Sequence, residues 1–264
     1  MENKEKKPDI LLVPPITSPY FVDNRKDFLP VGLLTLVSSL RENHFTAEIY
    51  KPTILLLNEN DYLSCAEDIL KNDPGIIGFS TWCHSIPSVI VLAEKIKAIN
   101  PSIPIVLGGP QASILHKETL ERYPFIDYVL RNEADHNIIL LLYNLLRKNG
   151  KFPELQDIAG LTYRNIRNMV IANPSQQAVS DLNLLPIPTY EKIQFDEYLS
   201  IDVGRGCAFN CTFCSTNQFF SRLYRVKSVK RIIEEMDYCY DLFNATWFGP
   251  VSYTHLTLPT TPYV

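Results

Sequence analysis

From Asp9 to about Gly150 the chain alternates short apolar runs with helical periods. DILLVPP, AEIYKP, GIIGFST, IPIVLGGP and FIDYVLRNE are rich in Ile, Val and Leu, and GIIGFST and IPIVLGG are almost wholly apolar. Runs without polar alternation suit central strands of a parallel sheet, because helices cover both of its faces. Leu33, Leu36, Val37 and Leu40 mark one helix face after Pro30. Val89, Leu92, Ala93, Ile96 and Ile99 mark another, with Ser85 as its predicted cap close to Pro87. Five such βα units in about 140 residues predict a doubly wound α/β domain, a parallel sheet of flavodoxin-like order.

In such a sheet, ligands bind beyond the carboxyl ends of the strands. That edge carries Pro14 and Pro15, Ser80 to His84, Gly108 to Gln111, and Asn132 to Asp135. Gly108-Gly109 fits a backbone that approaches a bulky ligand, since neither residue carries a Cβ. It fits a tight strand-to-helix turn equally well.

Beyond Gly150 the helical rhythm stops. GLTYRNIRNMVIAN reads as a hairpin around a polar Arg-Asn turn, and DLNLLPIPTYE as an extended interdomain linker. A second α/β unit starts near Tyr198, with YLSIDVG as its strand and TWFG as the next. Between them Ser228 opens a helix whose predicted apolar stripe is Val229, Ile232, Ile233, Met236, Cys239 and Phe243. After Pro250 the periodicity ends. VSYTHLTLPTT is also the translation of read-through into a common transposon-based sequencing adapter. Residues 251–264 are therefore set aside as adapter-derived, and the natural protein is expected to continue past Pro250. The expected organisation is an α/β domain over 1–150, a hairpin and linker over 151–194, a second α/β unit over 195–250, and the tail.

A net charge of −4 argues against a general nucleic-acid-binding surface. No run reaches the roughly 18 apolar residues of a membrane span, and MENKEKKPDI is too polar for a signal peptide. Six cysteines without a secretory signal point to a reducing compartment, and a cytoplasmic location is expected.

Three of those cysteines sit in Ile201–Thr216, IDVGRGCAFNCTFCST, where Cys207, Cys211 and Cys214 have C-x3-C-x2-C spacing. Zinc favours four nitrogen or sulfur ligands in paired spacing. Here His136 lies far upstream, His255 falls in the tail, and Cys239 on the helix stripe reads as core. Dinucleotide binding fails too, because Phe209 occupies the third glycine position after Gly204 and Gly206. Three thiolates suffice for three irons of a four-iron cluster and leave the fourth open for chemistry. Six basic residues and no acidic ones lie between Arg205 and Arg231, which suits thiolates or an anionic occupant. Within that flank Arg205 reads as the functional cation, and Lys227 and Lys230 as solvated charges.

GCAFNCTFC resembles the cysteine loop of radical S-adenosylmethionine (radical SAM) enzymes, in which an aromatic residue precedes the third cysteine. The resemblance implies a [4Fe-4S] cluster on Cys207, Cys211 and Cys214, Phe213 against the adenine of S-adenosylmethionine, and Arg205 on the same side. It implies that the second unit begins a (β/α) radical SAM barrel. It also implies reductive cleavage of S-adenosylmethionine to a 5′-deoxyadenosyl radical, fed by a reductant such as flavodoxin or ferredoxin and acting on a small molecule. Asp9 to Asp135 resembles the cobalamin (B12)-binding domain fused to many such enzymes, through PP, GFST and GGPQAS in order. Carried over, Ser80, Thr81, Gly108, Gly109 and Pro110 would line a cobalamin site, and methyl transfer or radical rearrangement would follow if cobalamin is bound.

Two departures bear on that site. D-x-H-x-x-G is absent, which removes support for a histidine-ligated cobalt, and the usual G-E-G-E reads Asn132-Glu133-Ala134-Asp135, which is predicted to loosen the loop. His84 and His136 fall at the ligand edge and read as surface or cap residues, while His44 falls at the opposite end. A non-catalytic corrinoid-binding module and an iron–sulfur electron-transfer protein are the alternatives. Neither nucleic acid nor membrane is expected as a partner. With the barrel incomplete, the 264-residue chain is expected to lack substrate turnover.

Overall fold

The structure, a computed structural model, describes residues 7–16, 31–52, 56, 58–147, 152–190, 199–209 and 211–252. Pro30, Tyr198 and residues 253–264 of the tail lie outside the described residues.

The first unit runs β1 (Ile10–Val13), α1 (Val31–Glu42), β2 (Ala47–Ile49), α2 (Glu59–Lys71), β3 (Ile77–Ser80), α3 (Ile86–Ile99), β4 (Ile105–Gly108), α4 (Pro110–Ile114), α5 (His116–Arg122), β5 (Tyr128–Leu130) and α6 (Asn137–Leu146). The hairpin strands β6 (Leu161–Arg164) and β7 (Val170–Ala172) follow. Together they form one seven-stranded sheet of order β2-β1-β3-β4-β5-β6-β7. Its first five strands are parallel in the expected flavodoxin-like order, and the hairpin extends the sheet antiparallel from β5.

The apolar runs are legible as physics. Leu11 and Val13 enter one core with Phe79, Val89, Leu92 and Ile96. Ile10 and Leu12 enter the other with Val37, Leu40, Leu141 and Leu142. A strand turns successive side chains to opposite faces, so only a sheet covered on both sides needs four apolar residues in a row. Each such side chain contributes about 1.5–3 kcal/mol on burial.

Two helix details depart from expectation. Ser85 does occupy the position before α3, yet its hydroxyl makes no cap bond to the helix. It turns back to Trp82, accepting from that residue's amide at 2.9 Å and donating to its carbonyl at 3.2 Å. Ile99 ends the predicted stripe but is exposed, because it lies in the last turn of α3.

The second unit comprises β8 (Leu199–Arg205), α7 (Thr216–Phe219), β9 (Arg225–Val226), α8 (Val229–Phe243) and β10 (Phe248–Ser252). β10 runs parallel to β8, so β8, α8 and β10 make one βαβ unit, and the short β9 pairs antiparallel on the other side of β8. Among the described residues no barrel closes. β10 includes Val251 and Ser252, the first two residues of the tail.

The stripe predicted for α8 is partly wrong: Val229 and Ile233 are exposed, and the buried face is centred on Glu235 and Cys239. A carboxylate lies inward because the Tyr190 hydroxyl (2.7 Å) and the Lys227 ammonium (2.8 Å) satisfy its two oxygens. Cys239 is core as expected, in a cluster with Tyr190, Leu199, Ile201, Ala245 and Leu34 of α1. That cluster joins the two units. Among the described residues no helix is long and apolar enough to cross a membrane.

Candidate functional site

The carboxyl ends of the parallel strands form a half-exposed ledge made by Ser80 and Gly108, the last residues of β3 and β4, with Gly109 and Pro110 following. Thr81 lies beneath it, fully buried. Its hydroxyl donates to the Gly108 carbonyl at 2.8 Å and accepts from the Ala112 amide at 2.9 Å. Thr81 therefore builds the turn from inside, with its hydroxyl already engaged. Gly109 has φ +92° and ψ 177°, a region open essentially to glycine alone. A Cβ there would stand 2.7 Å from the Thr81 carbonyl oxygen. Gly108 differs. A Cβ on it would meet only the Leu130 carbonyl oxygen, at 3.8 Å, so its open side leaves room for a bulky ligand to reach the backbone. Of the two glycines, then, Gly109 makes the turn and Gly108 keeps the ledge bare.

The cysteine loop follows β8. Gly206 has φ +88°, and a Cβ there would overlap the Leu223 carbonyl oxygen, so the loop enters beneath the 221–224 segment by the one residue that fits. Cys207 and Cys214 are half-buried, Cys211 is exposed, and all three are free thiols. Hydrogen bonds from the Thr216 hydroxyl and amide hold the Cys214 thiol below its ordinary pKa. Cys207 Sγ accepts from the Phe209 amide at 3.4 Å. Phe213 is 90% exposed, available to a ligand ring and packed on little of the protein itself. By donor type and spacing the loop fits an iron–sulfur cluster. Among the described residues, however, no three His, Cys, Asp or Glu side chains are gathered closely enough to hold a metal. Sulfur ligation couples to folding, and the metal bonds themselves would draw such a loop closed.

The basic flank is spoken for. Arg205 is buried and paired bidentately with Asp135, at 2.7 and 3.1 Å, with Glu133 at 3.7 Å and Asp202 at 3.6 Å. Arg225 pairs bidentately with Glu133, at 2.8 and 2.7 Å, and also donates to the Val179 carbonyl. Lys227 is buried against Glu235, which corrects its reading as a solvated charge; Lys230 is the solvated one. The flank looked free of acids because its acids come from the β5–α6 loop, from β8 and from α8. Arg205 is thereby a buried ion-pair partner, and its geometry gives no support to a role beside S-adenosylmethionine.

Asn132-Glu133-Ala134-Asp135 is not loosened either. Asn132 takes φ +62°, a left-handed conformation that asparagine tolerates, and its Nδ2 donates to the Phe219 carbonyl (2.7 Å) and the Gln218 carbonyl (3.3 Å). The linker is pinned as well: the Val179 amide donates to Glu133 at 2.8 Å, the Ser228 amide to Asn183 at 2.8 Å, and Arg231 to the Leu185 carbonyl at 2.5 Å. A polar cavity of about 280 Å³ lies between the units, lined by Ser113, Arg131, Asn132, Gln218, Phe219 and Ser221 among others. His84 and His136 are exposed, His136 without a side-chain cap bond to α6.

The protonation of this buried group follows from its inventory. Four carboxylates (Glu133, Asp135, Asp202, Glu235) face three cations (Arg205, Arg225, Lys227). Burial lifts the Asp202 carboxyl above its usual range, against the pull of Arg205 and Lys227, and its Oδ1 has no partner. Burial opposes the Arg205 charge, but Asp135, Asp202 and Glu133 together hold it protonated. Burial, followed by Glu235, pushes the Cys239 thiol up to about 12, as suits a core cysteine. Tyr190, Glu235 and the linker contacts carried no sequence signal. Glu133 and Asp135 did, as acids spaced by one residue after a strand.

Residues 20–141 match the family model described as the B12 binding domain. The chain is 31% identical over 214 residues to an uncharacterized methyltransferase of Pyrococcus horikoshii, covering 78% of this chain and 45% of that protein. It is 31% identical over 165 residues to the hopanoid C-3 methylase of Methylococcus capsulatus, covering 62% and 32%. Over 221 residues it is 25% identical to the anaerobic magnesium-protoporphyrin IX monomethyl ester cyclase of Rubrivivax gelatinosus, covering 79% and 38%. The chain spans less than half the length of these curated relatives. Its fold is shared with a radical S-adenosylmethionine methyltransferase of Kitasatospora setae, solved with tryptophan and a SAM analogue (TM-score 0.70, 16% identity, covering 92% of this chain and 47% of that one). It is shared also with a cobalamin-dependent S-adenosylmethionine radical enzyme solved with aqua-cobalamin and S-adenosylmethionine (TM-score 0.69, 20% identity, covering 94% and 34%). A B12 binding domain model thus matches residues 20–141, and a methyltransferase and a methylase are among the curated relatives.

Two predictions follow from the ledge and the buried charges. Gly109→Ala is expected to destabilise the chain by roughly 3 kcal/mol or more, since it adds a clash to a glycine-only conformation; urea denaturation measures it, and a loss within about 0.5 kcal/mol would refute the account. Because the folded Asp202 pKa is raised above 3.8, the native state holds this proton more tightly than the unfolded chain. Its contribution is full below the unfolded pKa and is lost as pH rises through the folded one. Wild type should therefore lose stability relative to Asp202→Asn as pH rises above about 4, and parallel pH profiles of the two proteins would contradict this.

Proposed function

We propose that this chain is the cofactor-bearing part of a cobalamin-dependent radical SAM methyltransferase acting on a small molecule. The observation that carries the reading is the pairing of two features in one body: a B12-binding-type sheet with a bare Gly108 ledge, and a three-cysteine loop tied by its following segments to the same edge. In this reading Cys207, Cys211 and Cys214 would hold a [4Fe-4S] cluster, and the second unit would begin a (β/α) barrel. Ser80, Gly108 and Pro110 would face cobalamin, with Thr81 and Gly109 fixing the turn behind them. When bound, the cluster supplies the electron for reductive cleavage of S-adenosylmethionine, and cobalamin supplies methyl-group carriage.

The chain's own residues have narrower tasks. Thr216 favours the thiolate of Cys214 through two hydrogen bonds, readying it as a soft ligand. Phe213 offers an exposed ring on which an adenine would stack. Gly206 sets the entry of the loop. Asp135, Glu133 and Glu235 of the buried group are committed to Arg205, Arg225 and Lys227. A small-molecule substrate, a protein reductant and a reducing cytoplasm complete the reading.

Anaerobic reconstitution with iron and sulfide is expected to load one four-iron cluster, and retention of a full cluster by the triple Cys→Ala variant would sink the assignment. Gly108→Val is expected to fold normally, because the added atoms enter open space. It should weaken aqua-cobalamin binding by about tenfold or more, equivalent to about 1.4 kcal/mol; unchanged affinity in an absorbance titration would remove the ledge from the site. Cobalamin binding by a chain that never takes up iron would favour a corrinoid-binding module instead.

A further inference from the structure

Three polar side chains of the loop between β5 and α6, at residues 132, 133 and 135, reach the second unit. Asn132 binds the carboxyl end of α7, the helix that begins two residues after Cys214. Glu133 binds Arg225 of β9, and Asp135 binds Arg205 at the last position of β8, two residues before Cys207. The cysteine loop is thus held on both sides of its sequence by one tripod.

The tripod also has a root in the ledge. The Asn132 amide donates to Ser113 Oγ at 2.9 Å, and the Ser113 hydroxyl donates to the Gly109 carbonyl at 2.8 Å. Gly109 in turn packs on Thr81, and α4 packs directly against α7. Three hydrogen bonds therefore run from the glycine turn to the segment that follows the third cysteine. A surface ion pair would exert little control over such a geometry, whereas buried bidentate pairs fix distance and angle together.

We propose that Asn132, Glu133 and Asp135 are positioning residues: a latch that sets where the cysteine loop stands over the Gly108–Gly109 ledge. The proposal rests on the cofactor reading above for its purpose, since the latch would fix the approach of the two cofactor-bearing parts. Its geometry needs neither cofactor. Asn132 is the informative member. Its left-handed φ suits glycine, so Asn132→Gly removes the two side-chain bonds to α7 and leaves the backbone unstrained.

The test is a distance between the units. Spin labels are carried on keto-bearing residues introduced at Lys117 of α5 and Asp237 of α8, both exposed, so that the native cysteines remain. Wild type is expected to give one narrow distance distribution by pulsed dipolar spectroscopy. Asn132→Gly and Glu133→Gln should each broaden it or add a second population, while thermal unfolding of Asn132→Gly stays cooperative. The conservative Asp135→Glu should restore part of the order that Asp135→Ala loses. A distribution unchanged in both Asn132→Gly and Glu133→Gln would overturn the latch. Failure of wild type to take up iron or aqua-cobalamin would sink the cofactor reading alone, because the distance is read without either.

Discussion

Everything in the molecule that concerns chemistry depends on two carboxylates meeting two guanidiniums in a place water scarcely reaches. Glu133 and Asp135 belong to the B12-type sheet, and Arg225 and Arg205 belong to the strands around the cysteine loop. Desolvating such ions costs several kcal/mol each, and the cost is offset only where the geometry is close and every polar atom is engaged. Bidentate contacts near 2.7 Å supply the close geometry, and the Val179 carbonyl accepts a further Arg225 N–H, while Arg225 Nε is buried without a partner. A pair of this kind adds little net stability over an apolar contact of equal size, but it permits one relative placement of its two partners and penalises the rest. The apolar contact of Leu34 with Tyr190, Leu199 and Ile201 supplies the adhesion; the ion pairs supply the register.

That division explains the pinned linker. The 26 residues between β7 and β8, with three prolines, would act as a loose spacer if solvated. Here the Val179 amide bonds Glu133 of the buried network, Asn183 and Leu185 accept from Ser228 and Arg231 at the start of α8, and Tyr190 lies inside the core of the second unit. The surplus negative charge then falls on Asp202, which neighbours Arg205 and Lys227 without a close contact to either. Burial raises the Asp202 pKa at this loosely paired point of the network.

The cysteine loop presents the opposite physics. Its backbone is fixed at the entrance by Gly206 and at the exit by α7, yet its thiols and Phe213 face outward with few contacts of their own. A loop tightly held at its ends and bare in its middle is pre-organised for ligands that bring their own binding energy. The ledge is built on the same plan: Thr81 and Gly109 are locked, and Gly108 beside them is left without a side chain facing it closer than a carbonyl at 3.8 Å.

By itself the sequence determined the elements and their order. Apolar runs such as GIIGFS and IVLG are buried as central parallel strands, and the C-x3-C-x2-C spacing after a strand sets three thiols within eight residues, because both facts are local properties of spacing and side-chain type. The tertiary structure alone decided which charges pair with which. Arg205 and Lys227 looked available in a stretch without acids, but Asp135 is 70 residues from Arg205 in the chain, and Glu235 hides on a helix face that periodicity assigns to Val229 and Ile233. Charge pairing is set by distance in space, and a sequence records distance only along the chain. The same holds for the two glycines: identical in the sequence, they part company only when Thr81 is seen behind one and open space beside the other.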